Sequence, residues 1–376
     1  MIYLTYNDAP SGIYFSQVTD VCNFLNERLD AKIRLVALIS VRKYWENRKK
    51  IKSQFKKAIV IPMIPTIGLW RWNILSVFFL LLLINTKKAI ARGPFAAVLC
   101  LMAKKTGMLN KVIFDARGAS AAEVNEYEVI KNKHIKKKIF SIESRAVNES
   151  DFRMAVSNKL VEYWRNEFGY DKTGHLVIPC TLHKEFLKEL PSEHELKLLK
   201  KRLGIEEDKI VLTFSGSSSQ WHSFSMVDDF LCKVLTSNPN SRVLLLADEK
   251  INLKCLKSFP DRVIRIWLPH EEVRDTLLVA DYGILLREKS VTNKVASPVK
   301  FAEYLSCGLK ILISDEIGDF TRFVLDHDSG FIINDFLKAP MISKIEFQEK
   351  EKMNRLALAY FSKQHFMGNY NVLLNL

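Results

Sequence analysis

Short apolar runs alternate with longer amphipathic segments along the whole chain. The runs predict strands at 2–5, 33–39, 58–64, 89–92, 111–114 and 152–157, and again at 210–214, 242–247, 262–267, 282–286 and 309–313. Most segments between them repeat their apolar residues at helical spacing. Strands that alternate with helices of this size predict an α/β fold built on parallel sheets. Because 376 residues exceed the usual size of one domain, we expect two domains.

Residues 281–314 combine these elements in one continuous unit. Their pattern predicts a strand at 282–286, a polar loop at 287–297, a helix at 299–307 and a strand at 309–313. Ser297 is a good helix N-cap, and Pro298 fits the first turn because no N–H is needed there. Gly308 can take the left-handed turn that ends a helix. Since ligands bind beyond the carboxyl ends of parallel strands, the helix start should face a site that favours an anion such as phosphate.

Two further loops follow predicted strands. The loop that begins Ser215-Gly216-Ser217 is rich in small residues, which let backbone amides approach a diphosphate closely. In the first half, Asp115 and Arg117 come directly after a strand and should lie at its carboxyl edge. An Asp–Arg pair that only fixes the loop is an equally good interpretation.

The excess positive charge lies in the first half of the chain. Residues 1–180 hold 29 Lys and Arg against 15 Asp and Glu, whereas residues 181–376 hold 27 of each. Such an excess favours attraction to an anionic surface, either lipid headgroups or a phosphorylated acceptor, and its alternative is a solvated basic face. Nucleic-acid binding is not expected, because no recognition module accompanies the basic residues.

Two segments suit a membrane surface. Residues 41–57 hold eight basic residues and one acid, interleaved with Tyr44, Trp45 and other apolar residues, which is typical of a helix resting on an anionic membrane. A solvated helix that touches the domain core is the alternative. The run at 73–84 is the most apolar of the chain, but about 12 helical residues cover only about 18 Å, too short for a bilayer core of about 30 Å. We expect a buried or interfacial helix there.

The six cysteines are widely scattered, with no C-x-x-C pair and no His at metal spacing, which predicts reduced thiols and no metal site. The chain opens directly into a strand-like run, without the basic and apolar leader of a secreted protein. We therefore expect a cytoplasmic protein.

The motif SPVKFAEYLSCGLKILIS at 297–314 resembles the nucleotide-sugar-binding segment of GT-B glycosyltransferases, most of all glycosyltransferase family four of the bacterial cell-surface polysaccharide type. In that family a Glu on this helix binds the ribose of the donor nucleotide, which implies this role for Glu303. The sequence DARG at 115–118 resembles a DxRG element of bacterial relatives, and the turn at Gly12 resembles their acceptor-side loop. Many relatives have an acidic residue eight positions before the helix Glu, where this chain has Val295.

The resemblance implies two Rossmann-like domains that face each other across a cleft. It places an acceptor-binding domain at 1–180, a nucleotide-sugar-binding domain at 181–353, and a C-terminal helix over about 354–376 that crosses back to the first domain. The implied donor-binding residues are Gly216, Ser217, Arg287, Ser297, Pro298, Lys300 and Glu303. Arg287 and Lys300 would stabilise the charge of the leaving diphosphate. Asp115 and Arg117 are the implied catalytic residues.

The implied activity is hexosyl transfer from a nucleotide-diphosphate sugar to a lipid-linked or polysaccharide acceptor, with retention of configuration and without a metal or cofactor. An anionic membrane surface is the expected partner, with the protein peripheral on the inner face of the cell membrane. Two alternatives stay open. One is a nucleotide-sugar 2-epimerase of related architecture. The other is a non-catalytic subunit that recruits a glycan-assembly complex to the membrane.

Overall fold

A computed structural model describes residues 1–64, 66–216, 223–249, 251–336, 338 and 340–376. The chain divides into two compact units. Unit 1 contains residues 1–183, 294–297 and 363–376, and unit 2 contains residues 184–293 and 298–362.

Unit 1 is a parallel sheet covered by helices on both faces. Its described strands are β1 (Ile2–Tyr6), β2 (Arg34–Ile39), β3 (Ile59–Pro62), β4 (Lys88–Arg92), β5 (Lys111–Asp115), β6 (Phe152–Ala155) and β7 (His175–Val177). The described α-helices between β1 and β7 are α1 (Gly12–Tyr14), α2 (Asp20–Leu29), α3 (Tyr44–Gln54), α4 (Ile74–Ile84), α5 (Gly93–Lys105), α6 (Ser120–Tyr127), α7 (Lys133–Glu149) and α8 (Asn158–Phe168). A π-helical turn over Phe15–Thr19 joins α1 to α2, and a 3₁₀ helix over Ile67–Asn73 leads into α4.

The strand order in unit 1 is β3-β2-β1-β4-β5-β6-β7, so the order reverses between β1 and β4. Successive residues of each strand point to opposite faces. Accordingly, Ile2 and Leu4 enter the core on the face of α4, α5 and α7, whereas Tyr3 enters the core on the face of α2 and α3. Ligands of such sheets bind at the carboxyl edge where the strand order reverses.

Unit 2 has the same design. Its described strands are β8 (Ile210–Gly216), β9 (Ser241–Ala247), β10 (Val263–Ile266), β11 (Tyr282–Leu285), β12 (Lys310–Ser314) and β13 (Gly330–Ile333), in the parallel order β10-β9-β8-β11-β12-β13. The helices that follow α8 in the described chain are α9 (Glu193–Arg202), α10 (Phe224–Ser237), α11 (Lys254–Ser258), α12 (His270–Leu277), α13 (Val291–Lys294), α14 (Val299–Ser306), α15 (Phe320–His327) and α16 (Phe347–Phe361), with a 3₁₀ turn at Lys184–Phe186. The strand order reverses between β8 and β11.

One predicted helix is broken in the structure. The helix predicted over about 354–376 is two helices. The first, α16, ends at Phe361 in unit 2, and α17 (Met367–Asn375) packs in unit 1. Between them the Lys363 Nζ donates to Asp20 Oδ2 at 2.7 Å and to the Leu182 carbonyl at 2.6 Å, which fastens the chain to unit 1.

The two segments predicted to suit a membrane lie on opposite faces of the unit 1 sheet. Ile51 and Phe55 of the α3 region pack in the core with Tyr3, whereas Val77 and Leu80 of α4 pack in the other core. Among the described residues one helical stretch, Ile67–Ile84, has the length and composition of a membrane span, with a mean hydropathy of 2.0 over 18 residues, and 28% of it is buried. The stretch is longer than the predicted run because the 3₁₀ helix precedes α4.

Candidate functional site

Close packing fixes the position of α14 in unit 2. A Cβ added to Gly283 in β11 would lie 2.2 Å from the Tyr304 ring, so only glycine lets the helix approach this strand. The Tyr304 hydroxyl accepts a hydrogen bond from the Ser215 N–H at 2.9 Å, which ties α14 to the end of β8. Gly308 has a φ of 82° directly after the helix, which confirms the predicted left-handed end. The carboxyl ends of β8 and β11 and the start of α14 are therefore held at the reversal of the strand order.

The start of α14 differs in one detail from the prediction. Pro298 occupies the N-cap position, and no side chain caps the helix. The Ser297 Oγ instead accepts a hydrogen bond from the Cys180 N–H at 2.9 Å within unit 1. A one-turn helix, α13, also interrupts the region predicted as a polar loop. Ser297 is therefore wrong as a cap, because its hydroxyl is used by a partner distant in the sequence.

Lys300 and Glu303 lie one turn apart on α14, a spacing that places them on the same side of a helix. Glu303 is 8% exposed, so this residue is buried and does not lie on a solvated helix face. Burial raises the pKa of Glu303 to about 7, against the opposing attraction of Lys300. Burial and then repulsion by Arg287 lower the pKa of Lys300 to about 7, against the attraction of Glu303. Both groups can therefore change charge near neutral pH when a ligand arrives.

Arg287 follows β11 and is held from two sides. Its backbone N–H donates to the Ser314 Oγ at 2.7 Å, and its Nη1 donates to the Asn293 Oδ1 at 3.1 Å. The side chain is 9% exposed. The Lys300 ammonium lies 5.3 Å from the centre of the Phe214 ring of β8. Arg287 and Lys300 are thus positioned at the carboxyl edge of the sheet, where a bound diphosphate favours the charged form of Lys300 and two positive charges can hold it.

Gly216 and Ser217 are the other residues of β8 and its following loop that the resemblance implies for this site. Gly216 is the last residue of β8 and is buried, at the same edge as Arg287. Ser217 lies outside the described residues. Val295 belongs to unit 1, where its side chain is buried in the core and its carbonyl accepts from Ser157 Oγ at 2.7 Å. Val295 therefore offers no polar side chain eight positions before Glu303.

In unit 1, Asp115 lies at the centre of a buried ionic network at the end of β5. It is 1% exposed. The Tyr3 hydroxyl donates to its Oδ2, Arg92 Nη1 lies 3.4 Å from Oδ2, and Arg117 Nη1 lies 3.4 Å from Oδ1. With both oxygens occupied and almost no exposure, Asp115 is suited to hold two arginines in position. A base must reach the acceptor, which this geometry does not favour.

The same network contains two residues, Arg92 and Asp8, that the sequence motifs do not indicate. Arg92 ends β4 and its Nε donates to Asp8 Oδ2 at 2.9 Å. Burial disfavours the charged guanidinium, but Asp8, Tyr3 and Asp115 together raise the pKa of Arg92. The Asp8 side chain is 35% exposed, so the Asp8 carboxylate is more accessible than the Asp115 carboxylate. Arg92 ends β4 and Asp8 lies two residues after the end of β1, and this position at neighbouring carboxyl ends was the available signal.

Arg117 is held by residues distant in sequence. Its Nη2 donates to the Gln17 Oε1 at 2.9 Å and lies 3.1 Å from the Cys180 Sγ. Gln17 belongs to the π-helical turn, and its Nε2 also donates to the Thr181 carbonyl at 2.6 Å. Burial opposes the charge of Arg117, but Cys180 and Asp115 outweigh it and raise its pKa. The guanidinium is thus held cationic at the carboxyl edge of unit 1.

Unit 1 also contains a cavity of about 150 Å³ beside this network. Its lining includes the polar residues Tyr6, Arg92, Ser120 and Glu123, and apolar residues such as Phe95 and Val124. Gly12, predicted for an acceptor loop, is the first residue of α1, where the Ser11 Oγ accepts from the Tyr14 N–H, and its backbone is not left-handed. Within the part of the chain that the structure describes, no cluster of three His, Cys, Asp or Glu side chains is suited to hold a metal ion.

Comparison with solved structures identifies the architecture. HepE from Anabaena in complex with UDP matches with a TM-score of 0.69 at 13% identity, over 100% of this chain and 99% of HepE. A glycosyltransferase from Rickettsia africae ESF-5 matches with a TM-score of 0.68 at 11% identity, over 99% of this chain and 97% of that chain. These matches cover both units and both sheets. The fold is GT-B.

The GT-B fold is shared by more than one activity. A putative UDP-N-acetylglucosamine 2-epimerase from Listeria monocytogenes matches with a TM-score of 0.55 at 10% identity, over 97% of this chain and 89% of that chain. No family model and no curated protein sequence matches the chain. The fold expected from the resemblance is therefore confirmed, whereas the activity has to be argued from the residues of the site.

Proposed function

We propose that the protein is a glycosyltransferase that moves a sugar from a nucleotide-diphosphate sugar to an acceptor. The observation that carries this proposal is the arrangement of Arg287, Lys300 and Glu303 at the carboxyl edge of unit 2. Arg287 and Lys300 can bind a diphosphate there. The buried Glu303 carboxylate, on the same side of α14 as Lys300, can accept hydrogen bonds from ribose hydroxyls. HepE, which has the same fold, was also solved with UDP-glucose.

The proposed chemistry is electrostatic. As the bond between sugar and diphosphate breaks, negative charge grows on the leaving diphosphate, and Arg287 and Lys300 stabilise that charge. Unit 1 supplies the acceptor side, where Asp115 holds Arg92 and Arg117 in position. Asp8 is the carboxylate of this network with accessible surface, and we propose it as the group to test for proton transfer from the acceptor.

The finer parts of the proposal concern the acceptor and the location. We propose a hexosyl transfer with retention, without a metal, to a lipid-linked or polysaccharide acceptor on the inner face of the cell membrane. The positive charge of residues 1–180 supports this location, because anionic lipids attract such a surface.

The test has two steps. A panel of nucleotide sugars is screened for thermal stabilisation of the protein, and the best one is then incubated with membrane lipid extract while release of the nucleotide diphosphate is measured. Release that requires the extract supports the proposal, and Lys300→Met should abolish it while Lys233→Met, an exposed change on α10, should not. No release with any stabilising donor contradicts transfer and leaves a binding role for the protein.

The 2-epimerase is the second candidate, because the protein from Listeria monocytogenes shares the architecture. An epimerase acts on the free nucleotide sugar and needs no acceptor. Conversion of the donor to its 2-epimer in the absence of lipid extract would therefore replace the transferase proposal.

A further inference from the structure

Every residue of helix α4 except Ser76 is apolar, yet only one side of the helix is covered by the described part of the protein. Val77, Leu80, Leu81 and Ile84 are buried in the core of unit 1. On the other side Leu75, Phe79, Leu82 and Leu83 are 59%, 63%, 72% and 65% exposed. A soluble helix normally places polar residues on its outer side. The outer side of α4 therefore indicates a surface that is covered by something apolar.

The exposed residues form one continuous strip, which we call the apolar ridge. It begins in the 3₁₀ helix and continues along α4, and its members are Leu69, Trp72, Leu75, Phe79, Leu82 and Leu83. From Trp72 onward they follow helical spacing, so they share one side. An exposed apolar strip of this kind marks an interaction site.

Basic residues lie beside the start of the ridge. Helix α7 packs against the 3₁₀ helix, and a Cβ added to Gly68 would lie 3.3 Å from the Asn132 amide nitrogen. The first turns of α7 and the residue before Asn132 carry Lys131, Lys133, Lys137 and Lys138, all exposed. In addition, residues 47–114 contain no Asp or Glu at all. The stretch of chain that carries the ridge is thus free of acids, and the residues beside its start are basic.

We propose that unit 1 docks on an anionic lipid bilayer through the apolar ridge and the lysines at the start of α7. The ridge side chains enter the boundary between headgroups and acyl chains, and the lysines contact the headgroups. This inference rests on the proposed function, since it brings the active protein to a membrane-associated acceptor. A second copy of the chain is a poorer occupant, because two positive surfaces would repel each other.

The ridge is expected to lie on the membrane and not to cross it. The stretch Ile67–Ile84 is long and apolar enough to span, but its inner side, including Trp70 and Leu81, is part of the core of unit 1. A span would remove these residues from that core. Helix α3, the other basic segment, lies on the opposite face of the sheet, and its exposed Trp45 is distant from the ridge in the fold.

Because α3 and the ridge lie on opposite faces of the sheet, the α3 region provides a matched control for the experiment. The full chain is mixed with vesicles of phosphatidylglycerol and phosphatidylcholine, or of phosphatidylcholine alone, and bound protein is measured by sedimentation. Ridge variant Phe79→Ser, Leu82→Ser, Leu83→Ser should bind anionic vesicles about a hundredfold less tightly. The variant with Lys131, Lys133, Lys137 and Lys138 changed to Gln should lose at least about tenfold.

Two control variants carry equal chemical changes elsewhere. Changing Lys49, Lys50, Lys52 and Lys56 of the α3 region to Gln removes the same charge from the opposite face, and Leu187→Ser, Leu198→Ser, Leu325→Ser removes exposed apolar residues from unit 2. Both should keep parental binding. Unchanged binding of the ridge variant, or an equal loss in the α3 and α7 lysine variants, would overturn the proposal. So would a parent that is a dimer in size-exclusion chromatography, dissociates with the ridge changes and ignores vesicles.

Calorimetric titration of the same variants with UDP-glucose separates this inference from the proposed function. We expect parental affinity in all of them, because none of the changed residues lies at the edge of unit 2. If the parent binds neither UDP-glucose nor any other nucleotide sugar of the panel, while vesicle binding follows the expected pattern, the proposed function fails and the docking surface stands.

Discussion

The carboxyl edges of the two sheets use buried charge in different ways. In unit 1 the Asp115 carboxylate is enclosed by Tyr3, Arg92 and Arg117, so its charge is satisfied within the protein. In unit 2 burial moves the pKa values of Lys300 and Glu303 in opposite directions, each to about 7. The arrangement in unit 1 holds the Arg92 and Arg117 side chains in fixed positions. The arrangement in unit 2 leaves two groups whose ionisation a ligand can change, which is the behaviour expected where an anionic donor binds.

The largest expected effect is on the stability of unit 1. Asp115→Ala leaves two largely buried arginines without their shared carboxylate, and breaking a buried ion pair costs about 3–5 kcal/mol. Urea unfolding should show this loss, whereas Asp171→Ala, at an exposed position, should leave the curve unchanged. A loss below about 1 kcal/mol for Asp115→Ala, in the range of surface pairs, would show that the network does not hold unit 1 together.

The next effect concerns unit 2 and pH. Lys300 is charged only below its pKa of about 7 in the free protein, and a bound diphosphate favours its charged form. Affinity for UDP-glucose should therefore fall about tenfold per pH unit above 7, or about 2.7 kcal/mol by pH 9. It should also fall below pH 7, where Glu303 becomes protonated.

Variants show which group causes the loss of UDP-glucose affinity above pH 7 and which causes the loss below pH 7. Lys300→Met should remove the alkaline decline, and Glu303→Gln should remove the acid decline, while Lys233→Met should keep both. A parental affinity that stays constant from pH 6 to 9 would show that neither group responds to the ligand, and the contrast between the units would then disappear.

A smaller effect tests how α14 is positioned. Gly283→Ala places a Cβ 2.2 Å from the Tyr304 ring, and overpacking of this kind costs about 1–3 kcal/mol. The shifted helix should also weaken UDP-glucose binding. Gly368→Ala on α17 meets no atom within 4 Å, so it should be neutral or slightly stabilising. Equal melting temperatures for the two variants would mean that Gly283 does not set the position of α14.

The sequence predicts most of the strands and the helix that carries Glu303, because these depend on local periodicity and on the helix stop signal. Gly308 is an example, since the left-handed turn is a property of one residue. Partners distant in the sequence could not be predicted. The Ser297 hydroxyl binds the Cys180 N–H, and Asp8 binds Arg92, because separate strands bring these residues together. The two basic segments likewise could not be assigned to opposite sheet faces from their composition.

The π-helical turn at Phe15–Thr19 illustrates the same limit. Its residues have ordinary helical character, so nothing local predicts the extra residue in the turn. The turn places Gln17 where it bonds both Arg117 and the Thr181 backbone. Only the tertiary contacts show why the helix is interrupted there.

The central claim is that α14 of unit 2 binds the nucleotide-diphosphate part of a sugar donor. Calorimetric titration of UDP-glucose into the parent, Glu303→Ala and the control Glu193→Ala tests it most directly. Loss of the charge-assisted bonds to ribose should weaken binding by about ten- to a hundredfold in Glu303→Ala, without lowering the melting temperature. Glu193→Ala, exposed on α9, should bind as the parent does. Equal affinity of the parent and Glu303→Ala would contradict the claim.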